Sequence, residues 1–410
     1  MKNAFKIILF FTFWSLSFTL SQHEDVNSII SHHNIKLDKT FSVQSLSSYS
    51  NNIDILKLDP IGFIILSKKF NTTDILGFSF TNNINLNLLP ENLNFILERY
   101  QSELSTESNI ILNNHYSSSR DVSPLISAEW DQGAPYNGMC PTGPPGTNLG
   151  TAVVGCVAVG MAQVIHYFAY PPTGIGSVLY NDSDYGDIYA NFEDAHYDYE
   201  DMPDNYGNEE VQELLFHCGV AVEMDYGPDG SGAAGGPFTP LDYPSAFSAL
   251  QEHFGYQENM QFLEKIEFSD DEWIDIIKNE LDNNRPVIYD ACANVGCHTW
   301  NVDGYQGDYL HCNWGWGGYG NGYFLMDNLN PEPGVNFNDD TWAIVGIEPG
   351  NILLYGDINL DGNINIQDII LTINIVLGNS DFNQAADMNQ DNIIDILDIV
   401  LIINLILEID

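Results

Sequence analysis

The chain has 410 residues, 44% of them hydrophobic, and a formal net charge of −45. That apolar content excludes a disordered chain, and the length suits two or three domains at roughly 150 residues each. From Asp121 to the end Lys265, Lys278 and Arg285 are the only Lys or Arg residues, which excludes phosphate backbones, and so nucleic acid, as partners.

Lys2 and Lys6 precede an apolar run from Ile7 to Leu20, and Thr19 and Ser21 are small residues where a signal peptidase cuts. The run is shorter than the about 20 apolar residues of a spanning helix. Residues 1–21 are therefore expected to be a signal peptide, removed on secretion, with no membrane association afterwards. Residues 22–120 are rich in Asn, Ser, Ile and Leu. Strand-like runs at Ile53 to Leu58, Gly62 to Ser67 and Ile75 to Phe80 are broken by Asp59-Pro60 and Asn71. Leu93, Phe95, Ile96 and Tyr100 then recur at helical spacing between Pro90 and Leu104. The pattern predicts a small α+β domain, followed by an exposed polar linker from Ser105 to Ser123, a natural place for proteolytic nicking.

Residues 121–350 are rich in Gly, Trp and Tyr. Helical periodicity covers Cys156 to Phe168, Glu210 to Val220 and Asp271 to Asp282, and Pro286 to Ile347 alternates like antiparallel strands with Gly-rich turns. A helical front and a sheet-rich back predict an α+β, two-lobed domain. Residues 351–410 hold a duplicated unit: the segment from Asp357 to Asp368 resembles that from Asp387 to Asp398, and an apolar helical stretch follows each.

Six cysteines stand at irregular spacing, Cys140, Cys156, Cys218, Cys292, Cys297 and Cys312, with no paired zinc motif. Secretion permits disulfides, but the spacing assigns none. Cys156 follows the small-residue loop Gly150 to Gly155 and opens a helix, where a thiol's pKa is lowered and a substrate backbone can approach. Its base must be a His from far along the chain. His298, on a short strand running into a turn, and His311 are the candidates; His166 and His217 lie within helical patterns and read as structural.

Three segments, in order, resemble the streptopain family of papain-like cysteine proteases. They are Trp130-Asp-Gln-Gly-Ala-Pro-Tyr-Asn137; Gly155-Cys156-Val-Ala with Met161-Ala-Gln and Tyr170-Pro-Pro; and His298 to Gly304 with His311-Cys-Asn-Trp-Gly-Trp-Gly-Gly318, Gly322-Tyr-Phe and Asn328-Leu-Asn-Pro331. The resemblance spans about Ser123 to Pro349. It implies a papain-like fold, with Cys156 as nucleophile and His298 as base. The Cys156 N–H and the Gln132 side chain would form the oxyanion hole, and Asn313, Trp314 and Trp316 would support or shield the histidine. It also implies protein or peptide substrates, with an apolar side chain favoured at the second position before the cut. Cys297 departs from the family, which often has glycine before the histidine. Residues 22–120 resemble, more loosely, the family's inhibitory propeptide, which implies a zymogen cut within Ser105 to Ser123. Two other activities suit the same shell: an inactive papain-like binding protein, and a cell-wall amidase or transpeptidase. The intact Gln132, Cys156 and His298 set and the Asn-Trp-Gly-Trp-Gly segment favour the protease.

In the C-terminal repeat, Asp357, Asn359, Asp361, Asn363 and Asp368 stand at the alternating positions of a calcium loop, with Gly362 at the sharp turn. Asp387, Asn389, Asp391, Ile393 (through its carbonyl) and Asp398 repeat the pattern, with Asn392 in the turn position. About two calcium ions are expected there, and none for catalysis. Asp at the twelfth position and the loop–helix unit resemble the dockerin domain, which implies a small all-α fold and a cohesin-type module as partner, on a scaffold or at a cell surface. The pair of residues that usually carries cohesin choice falls at Ile366-Gln367 and Ile396-Leu397.

Overall fold

The computed structural model describes residues 24–68, 75–105, 121–144, 149–236, 244–293, 296–326, 341–350, 355–359, 364–380, 382–389 and 391–407. The expected signal peptide, nearly all of the linker, and Asn328 to Pro331 lie outside the described residues. The chain divides into two compact units, Met1–Pro349 and Gly350–Asp410.

The first unit opens with helix α1 (Glu24–Lys36) and a meander of β1 (Ser42–Ser48), β2 (Ile53–Asp59), β3 (Phe63–Ser67) and β4 (Ile75–Ser79), closed by α2 (Glu91–Ser105). Every residue of β3 is buried, because both faces of this sheet are covered. Val26 and Ile29 of α1 pack with Leu56, Ile64 and Phe78 on one face. Leu93, Ile96 and Tyr100 of α2 pack with Ile53, Phe63 and Ile65 on the other. After β5 (Asp121–Val122) come α3 (Cys156–Phe168), the hairpin β6 (Ser177–Asp182) and β7 (Gly186–Asn191), α4 (Glu209–Ala221), α5 (Ala246–Glu252), β8 (Gln261–Glu264) and α6 (Asp270–Asp282). The back half is β9 (Val287–Ala293), β10 (Gly296–Gln306), β11 (Tyr309–Asn313), β12 (Gly322–Phe324) and β13 (Thr341–Val345).

One sheet of eleven strands runs β1-β2-β3-β4-β12-β11-β10-β9-β13-β8, with β5 paired to β10. The N-terminal meander joins the rest through β4 and β12, where Tyr323 faces Phe78 and Phe324 faces Gly77. Helix α3 is apolar nearly all round, with Val157 to Ile165 buried, so it sits inside the core rather than on it. Its neighbours in that core include Leu214 and Leu215 of α4 and Ala249 and Leu250 of α5. The architecture is α+β, with a helical cluster around α3 and a sheet cluster around Trp300, Trp314 and Tyr289.

The second unit pairs α7 (Ile366–Val376) with α8 (Ile396–Ile406) over Ile358, Ile369, Ala386, Ile399 and Ile402. Each helix starts with the same reciprocal cap: Asn365 with Asp368, and Asp395 with Asp398. Among the described residues no helix is long and apolar enough to cross a membrane.

Candidate active site

Three distant segments converge at the start of α3. Gly155 precedes Cys156 at φ 91°, a backbone state a side chain would strain, and a Cβ there would lie 2.8 Å from the Met224 methyl. Two residues earlier the Val154 N–H donates to the Gln132 carbonyl at 2.9 Å. The Gln132 turn is itself fixed by Asp131, whose Oδ1 accepts from the Gln132 N–H at 2.6 Å and the Gly133 N–H at 2.9 Å. The Gly317 N–H donates to the Trp130 carbonyl at 3.0 Å, which ties the loop after β11 to the same turn. The N-terminal meander reaches this loop as well: Asn82 Nδ2 donates to the Gly318 carbonyl at 2.7 Å and to Glu129 Oε1 at 3.0 Å.

Cys156 is half-buried, and burial of its sulfur pushes the thiol up to about 11. The Thr299 N–H beside the sulfur offsets part of that. The strand neighbour of Thr299 on β10 is His298, half-buried and paired in register with Ala291 of β9. The candidate nucleophile and the candidate base therefore belong to two elements in direct contact: a Cβ on Gly160 of α3 would lie 3.4 Å from the Thr299 methyl.

The competing histidine has other work. His311 is 7% exposed and its Nδ1 lies 2.6 Å from Asp303 Oδ1, while Asp303 Oδ2 accepts from the Ile126 N–H at 3.0 Å. That pair staples β5's neighbouring chain to the sheet. Asn313 is buried, with Nδ2 donating to the Ala128 carbonyl at 2.9 Å and Oδ1 accepting from Gln163 Nε2 at 3.3 Å and the Gly315 N–H at 3.4 Å. Trp314 is fully buried; its indole N–H donates to the Gly320 carbonyl and its ring lies 5.3 Å from Trp300. Trp316 is half-buried. Gln163, absent from the sequence-based candidates, links these groups: its Nε2 also donates to the Ala128 carbonyl and its Oε1 accepts from Asn301. A Gln in the middle of the apolar α3 run was the available signal.

Cys297, the departure from the family pattern, is joined to Cys292 by a disulfide across the β9–β10 hairpin. Cys140, Cys218 and Cys312 are buried and take no part in a disulfide. Asp290 of β9 is 3% exposed, shares a short hydrogen bond with the Thr299 hydroxyl, and is pushed up to about 8 by burial. An acid inside the run Val287-Ile-Tyr-Asp-Ala was legible as an anomaly, but its partner on β10 was not.

In the second unit, Asp368 and Asp398 are fully buried and Asp357 and Asp387 nearly so. Asp368 Oδ1 accepts from the Ile358 N–H at 2.8 Å, and Oδ2 from the Asn365 N–H at 2.9 Å. Asp398 repeats this with Asn389 at 3.3 Å and Asp395 at 2.9 Å. Asp387 accepts from the N–H groups of Asp391 and Asn392, and Asn392 takes the left-handed state at φ 65°. Asp361 and Asn363 lie outside the described residues. Among the described residues no three acidic, His or Cys side chains gather on one point. The four buried carboxyls and the neighbouring Asn oxygens are nonetheless the hard oxygen donors calcium takes.

Comparison with known proteins agrees with this layout. Residues 130–324 match the family model of the Peptidase C10 family, and residues 355–407 that of the dockerin type I domain. Streptopain of Streptococcus pyogenes is 30% identical over 354 residues, covering 78% of this chain and 86% of its own length. The thiol protease/hemagglutinin PrtT of Porphyromonas gingivalis is 28% identical over 71% of this chain and 36% of its own length. The structure of a prointerpain A fragment from Prevotella intermedia superposes with a TM-score of 0.61 at 29% identity, covering 76% of this chain and 99% of that one. The chain belongs to the Peptidase C10 family, the streptopain family, and is a cysteine peptidase carrying a dockerin type I domain.

Proposed function

We propose that the chain is a secreted endopeptidase made as a zymogen, with Cys156 and His298 as its catalytic pair. The observation that carries this is the placement of Cys156 at the start of α3, against the strand that holds His298. His298 takes the thiol proton, and the sulfur attacks the substrate carbonyl carbon. The Cys156 N–H and the Gln132 amide donate to the oxygen as it gains charge. The tetrahedral adduct collapses to an acyl-thioester as His298 returns the proton to the leaving amine. Water, deprotonated by His298, then releases the acyl group and the thiol. Asn313 and Trp314 serve through packing, holding the loop that ends in Trp316, rather than by touching the reacting atoms.

Residues 22–120 act as the propeptide. The contacts of Asn82 with Gly318 and Glu129 set this layer beside the active-site loop, and the raised pKa of the Cys156 thiol suits a latent enzyme. The catalytic domain is 121–350 and the dockerin 351–410, following the signal peptide 1–21. Calcium, about two ions, is held by Asp357, Asn359, Asp361, Asn363 and Asp368 and by Asp387, Asn389, Asp391, the Ile393 carbonyl and Asp398. It supplies the positive charge those buried carboxyls lack. Exposed Ile366, Ile396 and Leu397 at the helix starts face a cohesin-type partner outside the cell.

The test is casein hydrolysis by the purified full chain in calcium and reductant, beside Cys156→Ala and His298→Ala. Wild type is expected to shed about a hundred N-terminal residues and then digest casein. Both variants should stay full length and be at least roughly a thousandfold slower. A Cys156→Ala protein that still cuts casein sinks the reading; release of cell-wall fragments without casein cleavage would favour the amidase.

A further inference from the structure

His298 stands where the large sheet is least supported. β9 and β10 pair from Ala293 and Gly296 at the turn down to Val287 and Val302. Among the described residues, β11 joins β10 only from Asn301 onward, and β13 joins β9 only as far as Ala291. His298 is the register partner of Ala291. Beyond that rung the hairpin runs on as two strands, with no third strand beside either among the described residues. A two-stranded ribbon is marginal in water by itself, and a slip of one residue carries every side chain to the opposite face. For β10 such a slip would exchange the sides held by His298 and Thr299.

Two cross-strand links bracket the His298 rung. On the sheet side, the Thr299 hydroxyl donates to Asp290, its register partner. That link fixes the strand where the Thr299 N–H lies beside the Cys156 sulfur. On the turn side, Cys297 stands opposite Cys292 and the two are joined by the disulfide. It is the last side-chain link before the turn. Cys297 is exposed and Cys292 half-buried, and neither belongs to a core cluster, so the bond adds little to apolar packing. Its effect falls on the register of the hairpin end. Glycine, which the family often places before the histidine, could form no such link.

We infer that Cys292 and Cys297 are positioning residues of the catalytic pair: their bond fixes the β9–β10 register at the open end of the hairpin and so holds His298 in place to serve Cys156. Neither sulfur touches the reacting atoms; both act through the strand that carries the base. The inference rests on the Cys156 and His298 reading above. It also gives the bond a use that stability alone does not, because a misplacement of about 1 Å in a reacting group can cost about a hundredfold in rate.

The test compares wild type with the double variant Cys292→Ser/Cys297→Ser, both activated by immobilised wild-type enzyme. Assays run in a mild monothiol, with the Cys292–Cys297 bond of wild type verified by mass. The double variant is expected to lose at least about tenfold in kcat on a fluorogenic peptide, with KM within about threefold of wild type. The second readout is iodoacetamide labelling of Cys156 against pH, followed by mass spectrometry. In wild type the sulfur should react well below the about 8.5 of a free thiol, because the His298 imidazolium holds the thiolate, and the double variant should shift towards that value. An unchanged kcat, or a lower kcat with the labelling profile of wild type, overturns the inference. If the double variant does not fold, activated wild type is treated with a phosphine reductant in its native state. Its kcat should then fall in step with the appearance of two new thiols; both thiols appearing with kcat unchanged overturns the inference. Hydrolysis by Cys156→Ala would instead remove the catalytic pair itself, a separate result.

Discussion

His217 lies buried on α4 with Nδ1 2.9 Å from the Tyr197 hydroxyl, and burial lowers its pKa to about 4. His33 on α1, stacked on Phe80 at 3.9 Å, is lowered to about 4 for the same reason. Both folded values fall below the unfolded one, so the unfolded chain binds more protons as pH drops from about 6.5 to about 4. Stability is therefore lost across that window, by on the order of 2–3 kcal/mol per histidine. Urea midpoints of Cys156→Ala, used to prevent self-digestion, should fall steadily from pH 7 to pH 4.5, and adding His217→Gln should flatten that fall. A midpoint independent of pH in this range would show that neither ring must charge on unfolding. The residue scale also marks where sequence reading stops. The motifs name Cys156 and His298 as the candidate pair, but the hydrogen bonds of Asp290, Thr299 and Gln163 join partners that only the folded register supplies.

Among the elements, α7 and α8 are start-capped by the very acids assigned to calcium. Asp368 and Asp398 each accept backbone N–H groups from their own loop while opening their helix. With those acids as the proposed calcium ligands, loop order, cap and ion site are one structure, and metal binding would be folding energy for this small unit. Chelation with EDTA should lower the helical circular dichroism of an isolated 351–410 fragment. Asp368→Ala should weaken calcium binding and also cost roughly 1 kcal/mol of cap stability that calcium does not restore. Recovery of wild-type stability by Asp368→Ala at saturating calcium would separate the two roles. The long elements were plain in the sequence: the periodicity from Cys156 to Phe168 matches α3, and Asp271 to Asp282 matches α6 within a residue. The missed ones include α1, whose run from Glu24 to Lys36 is polar for most of its length, β1, whose Ser-rich run holds few apolar residues, and the short α5. The β6–β7 hairpin was missed as well, since it leaves Leu179 and Tyr189 exposed and so has no clean alternation.

Across the first unit, no local pattern foretold that the N-terminal meander would continue the sheet of the catalytic part, because strand pairing between distant segments leaves no mark on either. The seam is narrow: β4 meets the three-residue β12 at Phe78 and Gly77, and Tyr100 of α2 donates its hydroxyl to the Leu76 and Leu325 carbonyls across it. A Cβ on Gly77 would lie 2.7 Å from the Phe324 ring and 2.9 Å from the Tyr323 carbonyl. Gly77→Val should therefore loosen the seam and speed self-processing severalfold, measured as the lag before casein hydrolysis begins. An unchanged lag would mean that release of this layer does not limit activation. The disulfide between Cys292 and Cys297 carries a consequence of its own, since it closes the hairpin one residue ahead of His298 while Cys156, as the proposed nucleophile, must remain a thiol. The same molecule thus asks its surroundings to oxidise one sulfur pair and spare another, so its working habitat is a band of redox poise with a floor as well as a ceiling.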